Sequence, residues 1–193
     1  MNKDKSHVQA VRERLKILLS TYQKELKVSP IQAETGETVI DQGGEADAVV
    51  LLTHGTLVVE LKTEGEAPRK IATVEPGEIL GEMGLFGDNH YCASVRVKEG
   101  PAELLFFDSA SLMKFALFDS ELVMAILALS SHRCHTGNHL IELLLGGLQA
   151  LSEANQEKID AICQDLKQES EAMKKAAEQI KLLSAINIKG INQ

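Results

Sequence analysis

The sequence predicts a mainly β domain, a sandwich or a barrel, set between an N-terminal helix and long C-terminal helices. Three observations predict it. Apolar residues first recur every third or fourth position, the period falls to two from residue 35, and after Ser109 every signal is helical again.

Val8, Val11, Leu15, Leu18, Tyr22 and Leu26 form one apolar stripe, which predicts an amphipathic helix over residues 6–27. The segment is basic, with Lys3, Lys5, Arg12, Arg14, Lys16, Lys24 and Lys27 set against Asp4, Glu13 and Glu25. Such a helix can lie on a membrane surface, but packing on its own domain or on a dimer partner is the expectation.

Short β-rich runs follow at 37–40, 48–53, 56–62, 69–74, 93–97 and 102–108. Gly43-Gly44, His54-Gly55, Glu64-Gly65, Pro76-Gly77 and Gly100-Pro101 separate them as turn signals. Strands this short and closely spaced predict a sheet closed to hide its edges. Val39, Val50, Leu52, Leu57, Val59, Val95 and Val97 are its inward positions.

Leu112, Met113, Phe115, Ala116 and Leu117 mark a short helix. Ser120 then reads as the N-cap of a helix carrying Leu122, Ile126, Leu127 and Leu129. Ile141, Leu144, Leu148 and Leu151 keep a heptad rhythm, and Ile159, Ile162, Leu166, Met173, Ala176, Ile180 and Leu183 keep another, with Glu169 its polar seam position. The two are out of phase by four residues, so a stutter or a real break is expected near Gly146-Gly147 or Ser152. Folding back onto the barrel and an intermolecular coiled coil both remain open. The division expected is 1–30 (helix), 31–119 (barrel), 120–152 (dimerisation or lid helix) and 153–193 (heptad helix with a tail from Ile186).

Composition narrows the function. A net charge of −8, no Trp and 4% aromatic residues supply neither the positive field nor the stacking platform that nucleic acids need. Cys92, Cys134 and Cys163 are widely spaced and odd in number, which fits a reducing cytoplasm and no disulfide framework. No signal peptide and no spanning segment is read, so no membrane role is expected. No nucleophile elbow, P-loop or carboxylate–histidine cluster can be placed in one pocket, so the chain is not expected to be an enzyme.

The most informative stretch is Pro76-Gly77-Glu78-Ile79-Leu80-Gly81-Glu82-Met83-Gly84-Leu85-Phe86, followed by Ala93-Ser94-Val95. With Gly36-Glu37-Thr38-Val39-Ile40, Gln42-Gly43-Gly44-Glu45-Ala46-Asp47 and His54-Gly55 upstream, it resembles the cyclic-nucleotide-binding domain family, in its catabolite activator branch, over about residues 30–150. The resemblance implies a jelly-roll-like barrel with a ligand seat at Gly81, Glu82, Met83, Gly84, Tyr91, Cys92 and Ala93. A short helix from Gly81 would aim amide groups at a cyclic phosphate. Glu82 would accept from the ribose 2′-hydroxyl, and the Cys92 and Ala93 amides would complete the cradle. On the later helix Thr136 falls where the activator contacts the purine, with His132 one turn earlier. Gly137 replaces a Ser that reaches across the dimer in that relative.

One departure matters most. Tyr91 stands where the family places its phosphate-binding Arg, Cys92 stands where Ser or Thr is usual, and the loop is about one residue shorter. A charged hydrogen bond contributes about 1.5–3 kcal/mol, so phosphate binding should fall about tenfold to a hundredfold or more. Arg96 points away by strand alternation; His90, Arg69 and Arg133 are weaker substitutes. His135 and His139 share a helical face but lack a third ligand, so no metal is expected.

The chain therefore reads as a non-enzymatic regulatory protein, with no cofactor beyond a possible ligand such as cAMP or another cyclic nucleotide. It would sense that ligand, or a related small anion, and signal through its C-terminal helices to a protein partner, as a homodimer through the long helices. The alternative is a ligand-free assembly module that kept the fold. The roughly 40 residues after Leu151 hold no recognition-helix pattern, so DNA binding is not expected.

Overall fold

A computed structural model describes residues 2–22 and 24–191, with side chains described over 6–22 and 24–186. Lys3, Lys5 and Asp4 of the basic segment, and the end of the tail, therefore lie outside the described side chains. The chain divides into two compact units, Met1–His132 and Arg133–Gln193. That boundary falls inside the segment 120–152, which the sequence reads as a single part.

Helix α1 (Asn2–Thr21) stops short of the expected residue 27. Strand β1 (Val28–Ala33) pairs Val28 with Phe107, and the chain must turn beforehand to reach it. Leu26 is still buried through that turn, closed by its amide on the Tyr22 carbonyl at 2.8 Å. Val8, Leu15, Leu19 and Leu26 pack into one core with Ile79, Phe107, Leu112, Leu122, Ile126 and Leu129. The apolar stripe is thus spent on the chain's own unit. Arg12 ties the helix to Glu78 at 3.1 Å and Arg14 ties it to Glu121 at 2.7 Å.

The sheet contains β1, β2 (Thr38–Ile40), β3 (Ala48–Leu61), β4 (Arg69–Val74), β5 (Ile79–Leu80) and β6 (Ser94–Asp108). Its main path runs β1-β6-β3-β4, with β2 pairing β6 and β5 pairing β3. All pairs are antiparallel, and the jelly-roll-like fold is the one expected. The hydrogen-bonded path stays open at β1 and β4 instead of closing.

Two turn signals are absorbed inside strands. His54-Gly55 lies within β3 and Gly100-Pro101 within β6, so four expected strands are two long ones. Where they face each other the ladder shifts register, pairing His54 with Glu103 and Thr56 with Glu99. Between the pairs Leu52–Leu104 and Leu57–Val97 five steps on β3 face seven on β6, and regular pairing holds on either side. Strands β1 and β5 carry no alternation strong enough to read in the sequence.

Val50, Leu52, Leu57, Val95, Val97 and Leu104 fill the barrel interior, with Val39 and Val59 partly buried against them. Val49, Leu51 and Phe107 point the other way into the helical core. This half of β3 is covered on both faces, which is why it reads as an unbroken apolar run.

Helix α3 (Ser109–Ala116) is capped by Asp108, whose carboxylate accepts from the Ser111 amide at 2.8 Å. Helix α4 (Ser120–Ser152) is capped by Asp119 and not by Ser120. Asp119 Oδ1 accepts from the amides of Glu121 at 2.9 Å and Leu122 at 3.0 Å, the reach an N-cap side chain needs.

In the second unit α4 runs through Gly146-Gly147 unbroken and stops at Ser152. The glycines serve close packing: a Cβ at Gly147 would stand 2.9 Å from Ile180 Cδ1, and one at Gly146 3.3 Å from Ile162 Cδ1. The single heptad helix expected after 153 is two helices, α5 (Gln156–Glu169) and α6 (Glu171–Ile191), broken at Ser170. Ser170 is extended, and its hydroxyl accepts from the Met173 amide at 3.3 Å to cap α6. Gln156 meets Ser184, Asp160 meets Lys181 and Cys163 meets Ala177, so α5 and α6 run antiparallel. Ala150, Ile159, Cys163, Leu166, Ala177 and Ile180 form the core of this unit, with Leu144 and Leu151 packed against it. The rhythm Ile141-Leu144-Leu148-Leu151 therefore mixes two faces, since Ile141 and Leu148 are exposed.

Candidate functional site

The candidate seat lies in the first unit, where the chain leaves β5, turns at Gly81 and enters α2 (Glu82–Leu85). Gly81 has φ 87, a left-handed conformation that L side chains adopt at a cost. A Cβ there would also stand 2.7 Å from the Ala48 carbonyl oxygen and 2.9 Å from Tyr91 Cε1. Gly84 admits an equally close approach, since its missing Cβ would meet the His90 carbonyl oxygen at 2.5 Å. The loop from 85 to 90 folds back on this point, with the amides of Gly87 and Asn89 both donating to the Gly84 carbonyl.

Glu82 is 1% exposed, an uncommon state for a carboxylate. Its neighbour Met83 is 49% exposed and faces solvent instead. Cys92 is exposed and Ala93 buried. Ser94, which opens β6, is also buried, and its Oγ accepts from the Gln42 amide at 3.0 Å.

Tyr91 is the organising side chain. Its hydroxyl donates to the Ala48 carbonyl at 2.8 Å and accepts from the Ala48 amide at 3.2 Å, with Asp47 Oδ1 at 3.4 Å. Its backbone is held as well: the Gly43 amide donates to the Tyr91 carbonyl and the Tyr91 amide to the Gly44 carbonyl. The ring packs on the barrel-interior cluster. Burial, the largest cause, and the Asp47 carboxylate push the phenol above the usual tyrosine range, although the Ala48 amide opposes them.

The expected substitute cations are engaged elsewhere. Arg96 pairs with Glu60 at 2.6 Å, and Arg69 pairs with Glu66 at 3.3 Å. His90 Nδ1 sits 2.9 Å from the Asp88 carbonyl in the loop. Glu45, whose carboxylate accepts from Asn89 at 3.4 Å, and Asp47 add negative charge to the same region.

The structure brings Gly81, Gly84 and Tyr91 together around Ala46 and Ala48. His132 closes the first unit, whereas Thr136 and Arg133 belong to the second, where Thr136 is exposed. His139 Nε2 lies 3.7 Å from Glu169, and the described residues hold no group of three ligands that could bind a metal ion. Gly44, Asp47 and Ala48 were missed in the sequence. They lie more than forty residues from Tyr91; Gly44 and Ala48 meet it through backbone groups, which no side-chain pattern reveals, and Asp47 through Oδ1.

Among the described residues no helix is long and apolar enough to cross a membrane. Residues 30–117 match the family model of the cyclic nucleotide-binding domain. A cGMP-dependent protein kinase of Caenorhabditis elegans is 31% identical over 80 residues, which is 41% of this chain but only 10% of that protein. The chain thus spans about a tenth of that relative. The sensor domain of the transcriptional regulator DNR from Pseudomonas aeruginosa superposes with a TM-score of 0.55 at 24% identity, covering 70% of this chain and 93% of that one. The regulatory domain of Toxoplasma gondii PKA, solved with cAMP, gives a TM-score of 0.47 at 17% identity over 56% of this chain and 39% of its own. Residues 30–117 are thus similar to the cyclic nucleotide-binding domain, whose model they match.

Proposed function

We propose that this chain is a non-catalytic regulatory protein of the cytoplasm that senses a cyclic nucleotide, or a related small anion, in the barrel and signals through its C-terminal helices. The observation that carries the reading is Glu82, a carboxylate 1% exposed directly after the left-handed turn at Gly81. Burying a carboxylate is costly unless specific polar partners hold it. Its place in the family pattern assigns it to a ribose hydroxyl.

The second half of the proposal is a homodimer through α4. Exposed Cys134, Asn138, Ile141, Leu145 and Leu148, all in the second unit, keep the steps of three and four that make a coiled-coil seam. Asn138 falls at an a position, where a single polar residue selects register and two-stranded pairing. Asn138, Ile141, Glu142, Leu145, Gly146 and Gln149 line a surface groove on this helix.

The assembly-module reading is favoured by one observation, the absence of a charged anchor at Tyr91. Amide hydrogen exchange with and without saturating cAMP separates the two. Sensing predicts altered protection in both α2 and α4. Protection that does not change in α4 while nucleotide is bound would remove the signalling half, and no bound nucleotide would leave the assembly module.

A further inference from the structure

We infer that Tyr91 is an internal occupant of the ligand seat, a specificity-determining side chain that a nucleotide must displace before it can bind. The inference rests on the sensor reading above and sets its ligand threshold.

The geometry has three parts. The phenol donates to the carbonyl and accepts from the amide of one residue, Ala48, and Asp47 Oδ1 stands 3.4 Å from the same hydroxyl. Little is left to offer a phosphate oxygen while this pair holds. The ring stands against Gly81 so closely that even a methyl group at residue 81 would meet Cε1 at 2.9 Å. The anion-facing turn and the tyrosine therefore compete for one volume. Finally, the ring is part of the barrel-interior cluster with Leu80, Val95 and Leu104, so lifting it exposes apolar surface.

An arginine at this position would leave its charge available and attract phosphate. A neutral phenol anchored to the backbone does the reverse: it satisfies the seat from within and gives an incoming anion no charge. Binding is then taxed by the small fraction of molecules in which Tyr91 is withdrawn, and apparent affinity falls by that fraction. The barrel would answer only to a ligand abundant enough, or bound tightly enough elsewhere, to displace the ring.

The chain suits a direct test, because it has two tyrosines, Tyr22 and Tyr91, and no tryptophan. In a Tyr22→Phe background all tyrosine emission reports Tyr91. Titration of cAMP and of cGMP should make that emission more accessible to acrylamide in step with binding. Tyr91→Ala should bind the same nucleotide at least about tenfold more tightly than the parent. Tyr91→Arg should bind more tightly again, through the added charge. Should Tyr91→Ala fail to fold, Tyr91→Phe keeps the ring and drops both hydroxyl bonds, and a smaller gain is expected. Equal affinity of parent and Tyr91 variants, with emission unmoved at saturation, would overturn the gate and leave the sensor standing. Absence of binding by parent and by every Tyr91 variant would overturn the sensor reading and the gate with it.

Discussion

Tyr91 and Ala48 are joined twice, with the phenol donating to the Ala48 carbonyl at 2.8 Å and accepting from its amide at 3.2 Å. Ala48 opens β3 and Tyr91 lies in the loop three residues before β6, so this one pair ties that loop to the start of β3. The relationship sets what the seat can hold and makes it sensitive to small changes nearby.

Gly81→Ala combines a backbone penalty at φ 87 with a clash against both members of that pair. It should destabilise the first unit by about 1–3 kcal/mol, read from the urea midpoint. Gly36→Ala is the comparison, since Gly36 has φ 92 but no atom within 4 Å of an added Cβ. Equal losses at the two sites would mean that contact with Tyr91 and Ala48 adds nothing.

The tyrosines should titrate late. The Tyr91 phenol is held above its usual range chiefly by burial, and Tyr22 chiefly by its hydrogen bond to Asp119. A raised phenol pKa contributes stability that is complete below the unfolded value and is lost as pH climbs through the folded one. Ultraviolet difference titration should therefore find both ionising later in the native chain than in urea, with stability falling in that alkaline window.

Acid should act on the helix caps. The Ser111 hydroxyl and amide hold Asp108 below the usual carboxylate range, and Tyr22 with the Leu122 amide does the same for Asp119. Lowered carboxylate values give stability that is present above the unfolded pKa and lost as pH falls through the folded one. Asp108→Asn and Asp119→Asn should flatten the acid limb of a melting-temperature profile. An acid limb unchanged in the double variant would assign the loss to other carboxylates.

Dimerisation through α4 should be broken by one charge. Leu145 is 61% exposed on the proposed seam, so Leu145→Glu should halve the mass measured by light scattering without lowering helix content. Cys134 is exposed on the same spacing, and mild oxidation should give a covalent dimer that Cys134→Ser abolishes. A wild-type monomer at micromolar concentration would contradict both expectations.

Gly147 packs where a side chain cannot. Gly147→Leu would drive atoms into Ile180, whose Cδ1 already lies 2.9 Å from a Cβ built there, and should cost the second unit about 1–3 kcal/mol in urea denaturation.

Much of this was legible in residue spacing. The stripe from Val8 to Leu26, the interior positions of β3 and β6, and the order helix, sheet, helices follow from period alone. What was hidden has physical causes. Register shifts in the ladder let it run through His54-Gly55 and Gly100-Pro101, which lie in strand interior and not in turns. Of the two expected break points Ser152 ends the helix, whereas Gly146-Gly147 marks close approach and not a break. The stop at Ser170 escaped notice because the apolar rhythm continues across it while the backbone does not. In the seat, Gly81, Glu82 and Tyr91 could be singled out from sequence. The peptide group of Ala48 could not, since backbone partners carry no residue signature.

The most direct test of nucleotide sensing is a calorimetric titration of cAMP, and separately of cGMP, into the full chain after unfolding and refolding to strip any co-purified ligand. Saturable heat that weakens in Glu82→Ala is the predicted result. No heat and no thermal stabilisation at millimolar nucleotide would contradict it, leaving a different ligand or an assembly module.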